Sequence, residues 1–344
     1  MARLSVPGNL LLFGEYAVLE EGGLGLAVAI ERRVVVDLSP ARELSILGRW
    51  GGESTEWRPR GAPASEARRQ PDAARGGEPP PATAPGDQPP DLLGAAVAAC
   101  DRMLARPDGR ADDYPLRLTV DSAALYEPGR AKSGFGSSAA VAVGVTAALL
   151  RAARAEEAGF EGMVFEAALA AHRVHQGGRG SGYDIAASLA GGLLLFTGGP
   201  CPSYRRLSLP WLPDFSLIQT EHPVKTPGAI GRYLAWKRRK PQEADRFLRR
   251  SNEVVLQILA ATTLEAARPA IIEATRLGLW LGREIGVPAE IPLRAAPGEP
   301  PLGDGLLLKA LGAGNEIGAI WAPPDEPRPG LPAVIAVAGL SWNE

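Results

Sequence analysis

The chain has 344 residues, room for one large or two medium domains, and its 45% hydrophobic content is enough for a real core. Thirty-seven basic residues stand against 39 acidic ones, a formal charge of −2, so no overall field recruits nucleic acid or an anionic membrane. Only Cys100 and Cys201 occur, no apolar run approaches a membrane span, and the opening MARLSVPGNLLLFGEY is too short and too broken for a secretion signal; a soluble, cytoplasmic protein is expected.

Leu4 to Phe13 and Leu26 to Leu38 are rich in Val, Leu and Ile and are separated by the turn-rich EEGGLG, so they read as two strands of one sheet. From Arg49 to Pro90 the composition shifts to Gly, Pro, Ala, Arg and Glu. Such a stretch cannot bury enough apolar surface to order itself, and a mobile insertion over residues 49–90 is expected. Helical spacing returns at Leu92 to Ala105, and Pro115 to Ser122 reads as a strand.

Then comes KSGFGSSAAVAVGV, Lys132 to Val145, which opens a helix expected from Ser138 to Arg154. Gly134 and Gly136 can take positive φ, Ser137 and Ser138 can cap the helix, and the unsatisfied N–H groups of its first turn can hold anionic oxygens. From this stretch alone, a glycine-rich helix start without any ligand fits as well as a phosphate cradle. Glu161 to His175 predicts a second helix, Asp184 to Ala190 a short one after GGRGSG, and Gly192 to Thr197 a strand. Pro200, Pro202, Pro210 and Pro213 then mark a domain boundary. Thr226 to Arg239, Gln242 to Leu264 and Glu265 to Ile285 predict three helices, and Gly318 to Ala322 and Ala333 to Ala338 two closing strands. Sheets with helices on one side suggest an α+β fold.

Three glycine-containing stretches, PGNLLLFGEYAVLEEG from Pro7, KSGFGSSAA from Lys132 and LGAGNEIGAIWA from Leu311, follow one another in an order and spacing that resembles the GHMP kinase superfamily. The resemblance covers nearly the whole chain outside 49–90. GEYAVLE, KSGFGSSAA, GRGSGYDIAASLAGG and TPGAIGRYLAWKRRKP are most similar to the phosphomevalonate kinases of that superfamily. It implies a ribosomal-protein-S5-like N-terminal domain, placed at residues 1–200, and a ferredoxin-like C-terminal domain, placed at 201–344, with ATP and Mg²⁺ in the cleft between them.

The same resemblance places the nucleotide on Ser133, Gly134, Phe135, Gly136, Ser137, Ser138 and Ala139, with Ser137 and Ser138 also the candidates for touching Mg²⁺. Its catalytic aspartate falls on Asp184, which would accept the acceptor's proton; taken alone, an Asp just after a glycine turn is more often a helix N-cap. Lys132 and Asn9 complete the catalytic candidates. Asn9 stands where the related kinases usually have lysine, and Asn315 and Glu316 interrupt what is usually a run of glycines. Acceptor-binding candidates are Glu15, Tyr16, Arg179, Ser181, Gly182, Lys225, Thr226, Arg232, Gly312 and Gly314.

A phosphorylated acceptor needs cations of its own, and Lys132 and Lys225 are the first choices. His172 and His175 lack a third ligand at zinc-like spacing and read as structural or surface residues. Trp236 to Lys240 reads as a solvated helix end rather than a nucleic-acid patch. The expected activity is ATP-dependent phosphorylation of a small phosphorylated hydroxy acid. The alternatives are a mevalonate or sugar kinase, or a nucleotide-binding regulator without turnover; a monomer and a homodimer are both compatible with the sequence.

Overall fold

A computed structural model describes residues 2–50, 53–59, 91–105, 114–126, 134–153, 159–212, 214–220, 226–291, 305–322, 331–332 and 334–343. The contacts divide the chain into two units, each assembled from separated pieces. The first comprises Met1–Gly8, Arg32–Arg179 and Leu340–Glu344; the second comprises Asn9–Glu31 and Gly180–Gly339.

In the first unit, residues 2–8 of β1 (Ala2–Phe13) and 32–40 of β2 (Leu24–Pro40) join β3 (Ser45–Trp50), β4 (Glu53–Trp57), β5 (Leu116–Asp121) and β12 (Ser341–Asn343), in the strand order β12-β1-β2-β5-β3-β4. The end of β2 runs antiparallel to β5, with Val35 opposite Asp121 and Pro40 opposite Leu116, while β3 lies parallel to the other edge of β5. Arg3, Leu4 and Ser5 of β1 pair with Asn343, Trp342 and Ser341.

Three helices, α1 (Leu92–Met103), α2 (Ser137–Ala152) and α3 (Phe160–His175), pack on one another, and α2 also touches β5. Ala139 to Leu150 of α2 are all buried, as expected of a helix that is apolar all round and sits inside a core. Its Gly144 has a packing reason: a Cβ there would come 2.8 Å from Val36 of β2. Asp91 caps α1, its carboxylate accepting from the N–H of Leu93.

In the second unit, Leu24 to Val28 of β2 pair with β6 (Leu193–Thr197), which pairs with β7 (Ser203–Leu207). That hairpin straddles residue 200, where the prolines suggested a boundary. A second, antiparallel sheet runs β11 (Leu331–Pro332), β8 (Ser216–Gln219), β10 (Ile317–Trp321), β9 (Leu307–Leu311). With α4 (Tyr183–Ala190) come the three helices α5 (Thr226–Arg239), α6 (Pro241–Ala260) and α7 (Leu264–Ile285); α7 packs on α5, α6 and β9. Tyr233, Trp236, Phe247, Leu281 and Ile285 form one core cluster, and Trp321 sits between Phe13 and Phe215 at ring-centre distances of 5.7 and 5.5 Å.

The fold is α+β, and the predicted helices are in place to within four residues at each end. Three expectations are corrected. The segment taken as a mobile insertion from residue 49 begins inside β3, and residues 53–57 form β4 antiparallel to it, because Trp57 supplies an apolar ring that packs against α1 at Gly94; residues 60–90 lie outside the described residues. Of the strand expected from Ala333 to Ala338, the described residues 334–338 form no strand. Within that segment, Ile335 makes an isolated bridge to Ile30, and Ala336 exchanges N–H···O bonds with the backbone of Ala29 and Gly192. Finally, the Trp236 to Lys240 helix end is exposed at Arg238, Arg239 and Lys240, as expected of a solvated end, but not at Trp236, which is buried and donates to Glu284; Lys237 pairs with Glu20 and Lys240 with Glu284.

Candidate functional site

In the first unit, the segment leading into α2 turns on Gly134 and Gly136, both left-handed with φ of 69° and 68°. A residue with a Cβ pays for that conformation, which is why glycine recurs here. The cap of α2 is Gly136 itself, with no side-chain cap bond, so the serines do not cap as expected: Ser137 and Ser138 are the first two residues of the helix. Their N–H groups are among the first four of α2, which have no partner within the helix.

Phe135, between the two glycines, is buried, and the Arg32 guanidinium lies 4.9 Å from its ring centre. The Ser138 hydroxyl lies 3.1 Å from Nε2 of His172 on α3, whose same nitrogen is 3.2 Å from the Gln176 side-chain amide. His172 is 2% exposed, so it is a structural residue, but one built against the loop. Arg179 is exposed in the glycine turn after α3. Lys132 and Ser133 lie outside the described residues.

In the second unit, Gly182 (φ 96°) caps α4, which puts Asp184 in the first helical turn and removes the N-cap reading for it. Its half-buried carboxylate accepts from the N–H of Ile185 at 2.9 Å. Ser181 is buried beside it in sequence, 3.5 Å from the Tyr183 N–H. Burial pushes the Tyr183 hydroxyl far above the usual phenol range, and the negative charges of Asp184 and Glu15 push it further. Asn9 is buried and donates to Ser188 Oγ at 3.0 Å, one turn along α4 from Asp184.

The first glycine motif makes a tight corner. Gly14 has φ of 91° and leaves no room for a Cβ, which would come 2.1 Å from the Leu24 carbonyl oxygen; Tyr16 is left-handed at φ 62°. Glu15 accepts from Lys309 of β9, which also donates to the Ala310 carbonyl at 2.9 Å. The pair is buried: burial pushes Glu15 up and Lys309 down, each charge opposing the other's shift. The Tyr16 hydroxyl donates to the Ala313 carbonyl at 2.6 Å, between Gly312 and Gly314. Glu15 and Tyr16 thus tie the first glycine motif to the third. Arg232 is exposed on α5 and donates to the Gly286 carbonyl. Thr226 begins α5, its side chain outside the described residues, as is all of Lys225.

Phe13 to Tyr16, Lys309, Ala310 and Gly312 to Gly314 line one side of a cavity with about 640 Å³ of empty space, part of it open to solvent. The rest of its wall is mainly apolar and comes from α6, α7, Val287 and Ala289. Among the described residues, no group of three or more His, Cys, Asp or Glu side chains is placed to hold a metal ion, and no helix is long and apolar enough to cross a membrane.

Sequence reasoning missed Lys309, which lines the cavity, and did not place His172, read as structural or surface, against the loop. Each carries a signal: Leu307, Lys309 and Leu311 alternate onto one strand face, and Phe165, Leu169 and His172 fall on one helix face.

The glycine-turned start of α2, on a buried helix between α1, α3 and β5, lies in a stretch that has known relatives. Residues 92–192 match the family of GHMP kinases N terminal domain, and the chain has the fold of GHMP kinases. Among characterised relatives it is similar to a phosphomevalonate kinase of Streptomyces sp. (strain CL190), at 30% identity over 199 residues, 55% of this chain and 48% of that protein. The match thus spans about half the length of that relative. Among solved structures, Streptococcus pneumoniae phosphomevalonate kinase in complex with phosphomevalonate and AMPPNP superposes with a TM-score of 0.65 at 20% identity, covering 94% of this chain and 93% of that one. Methanococcus jannaschii mevalonate kinase gives 0.60 at 14% identity, covering 93% and 90%.

Proposed function

We propose that this protein is an ATP-dependent small-molecule kinase whose acceptor is phosphomevalonate, giving diphosphomevalonate. The observation that carries the reading is the loop at Gly134 to Ser138: two left-handed glycines present the N–H groups of the first turn of α2 to an anion. The relative from Streptomyces, a phosphomevalonate kinase at 30% identity, supports the choice of acceptor.

Phosphoryl transfer asks a protein for positioning and charge neutralisation more than for covalent chemistry. In this reading Gly134 to Ala139 hold the nucleotide phosphates; an oxygen of the acceptor's phosphate bonds to the γ-phosphorus as the bond to the β–γ bridging oxygen breaks and ADP leaves, and Asp184 orients that phosphate and takes the proton it carries when singly ionised. Lys132, Lys225 and Arg232 are the cations assigned to the phosphate the acceptor already carries. Mg²⁺ fits the donors present, since it takes one or two protein oxygens and otherwise phosphate and water, a demand the hydroxyls of Ser137 and Ser138 can meet. When bound it would neutralise charge on the phosphates.

The test is ADP release, coupled to a dehydrogenase, with mevalonate, phosphomevalonate, diphosphomevalonate, homoserine and galactose as acceptors. Phosphomevalonate is expected to give the highest kcat/KM. Turnover of mevalonate with none of phosphomevalonate would move the assignment to mevalonate kinase, and no turnover with any acceptor would favour a regulator.

A further inference from the structure

The cavity of the second unit has no part in the proposed reaction. Its wall combines apolar side chains such as Phe247, Val254, Leu277 and Leu281 with five polar ones, Glu15, Tyr16, Ser251, Thr275 and Lys309. Four of the five are engaged within the protein. Glu15 and Lys309 pair with each other, the Tyr16 hydroxyl donates to the Ala313 carbonyl, and the Thr275 hydroxyl faces the carbonyls of Ile271 and Leu308, each at 3.0 Å. Ser251 of α6 is different. A serine or threonine inside a helix can turn its hydroxyl onto the carbonyl four residues back, as Thr275 does. Ser251 is 7% exposed, yet its side chain makes no hydrogen bond among the described residues. Nor is its oxygen sealed in, since Asn315 Oδ1 is the one fully enclosed side-chain polar atom without a partner among those residues. A buried hydroxyl without a partner is unfavourable, and the polar group of a ligand would relieve it.

A glycine on α7 adds a second observation. Gly278 lines the cavity, and a Cβ there would meet no heavy atom within 4 Å beyond its own helix and chain neighbours. Glycine inside a helix is destabilising relative to alanine. Gly282, one turn on, has a packing reason, because a Cβ there would come 2.6 Å from the Val287 carbonyl oxygen. Gly278 has none except the space it keeps open.

From this we infer that the cavity is a binding site for a small neutral molecule, mainly hydrocarbon, whose single hydroxyl or carbonyl group pairs with Ser251. The charges on the wall belong to one ion pair, so no cation is left to compensate a phosphate or a carboxylate. With about 640 Å³ of empty space, the cavity falls in the size range of small-molecule sites. The inference rests neither on the nucleotide loop nor on the identity of the acceptor.

The experiment is calorimetric titration of the full chain with octanol, and with octanoate as a charged probe of the same chain length. Wild type should bind octanol saturably and octanoate at least about tenfold more weakly, because the lysine on the wall is already paired. Gly278→Leu fills the space and should reduce octanol affinity roughly tenfold or more, while melting no lower than wild type, since leucine is the better helix former. Ser251→Ala should weaken octanol binding roughly two- to tenfold, the loss of one hydrogen bond. Because Glu15, Tyr16, Gly312 and Gly314 of the wall are also acceptor candidates, the octanol titration is repeated with phosphomevalonate and then with AMPPNP present, and neither should shift it.

No saturable octanol binding by wild type would overturn the inference, as would octanoate binding as tightly as octanol. So would an octanol affinity that Gly278→Leu or Ser251→Ala leaves unchanged, which would put the alcohol elsewhere. Competition by phosphomevalonate or AMPPNP would make the cavity part of the reaction site and overturn it as a separate one. If circular dichroism shows Gly278→Leu to be unfolded, Ala274→Met, one turn earlier on α7 and also on the cavity wall, takes its place.

Discussion

Lys309→Met removes one half of a buried ion pair and replaces it with a side chain of similar length that has nothing to offer Glu15. Lys309 is 3% exposed, and its ammonium is held by Glu15, the Ala310 carbonyl and the face of Phe13, 5.4 Å from the ring centre. Breaking such a pair from one side costs about 3–5 kcal/mol, because the remaining charge stays buried without compensation. At roughly 2–4 °C per kcal/mol for a unit of this size, the thermal midpoint of the second unit should fall by about 6–20 °C.

The deficit should depend on pH. Burial already raises the Glu15 carboxyl, and Lys309 is what opposes the rise; without it Glu15 moves up further. A group whose folded value is raised contributes stability below its unfolded value and loses it as pH rises through the folded one. Melting curves at about pH 5.5 and about pH 8 should therefore show the variant closer to wild type at the lower pH. The double variant Glu15→Met/Lys309→Met should recover much of the loss at both, since an apolar pair of matching volume removes the stranded charge. A deficit that is the same at both pH values, or a double variant no better than Lys309→Met, would refute the reasoning.

Gly136→Val forces a β-branched residue into φ of 68° at the cap of α2, and nucleotide affinity should drop; unchanged AMPPNP binding by a folded variant would count against the loop. Asp184→Asn should lower kcat roughly 10²- to 10⁴-fold, about 3–5 kcal/mol of barrier, with ATP binding nearly intact, and wild-type kcat would remove Asp184 from its role. Asn9→Lys would bury an ammonium where Asn9 now donates to Ser188, so a lower melting temperature and no gain in kcat are expected; a faster enzyme would show that a cation is wanted there. Lys225→Ala should raise KM for phosphomevalonate far more than for ATP, and equal effects on the two would deny it a place at the acceptor.

Much of this molecule is legible in one dimension because its main elements are long and strongly patterned. The apolar run of α2, the Leu-rich β1 and the Val-rich β2 leave little alternative to a core helix and core strands. The shorter strands resist the same treatment. β7 reads SYRRL and buries almost nothing, and β8 is only four residues; such strands exist through the partners they pair with, which composition does not show. The loop at Gly134 to Ser138 could be read from its glycines, yet its cap could not. Ser-Ser before an Ala-rich run invites a serine cap, and the left-handed Gly136 takes that place instead. The acidic corner was half legible: GEY marks Glu15, but its partner is 294 residues away on β9 and only folding brings it there.

The pairing of β1 with β12 sets a schedule for the chain while it is being made. Arg3 to Ser5 find their partners only at Ser341 to Asn343, about 340 residues later. At roughly 5–20 residues per second, a ribosome takes about 15–70 s to cover that separation. For that interval the outer edge of β1 exposes unpaired N–H and C=O groups, a template for any other extended strand nearby. The sheet of the first unit is closed by a late arrival, and yield on expression should depend on how well that edge is kept unoccupied until then.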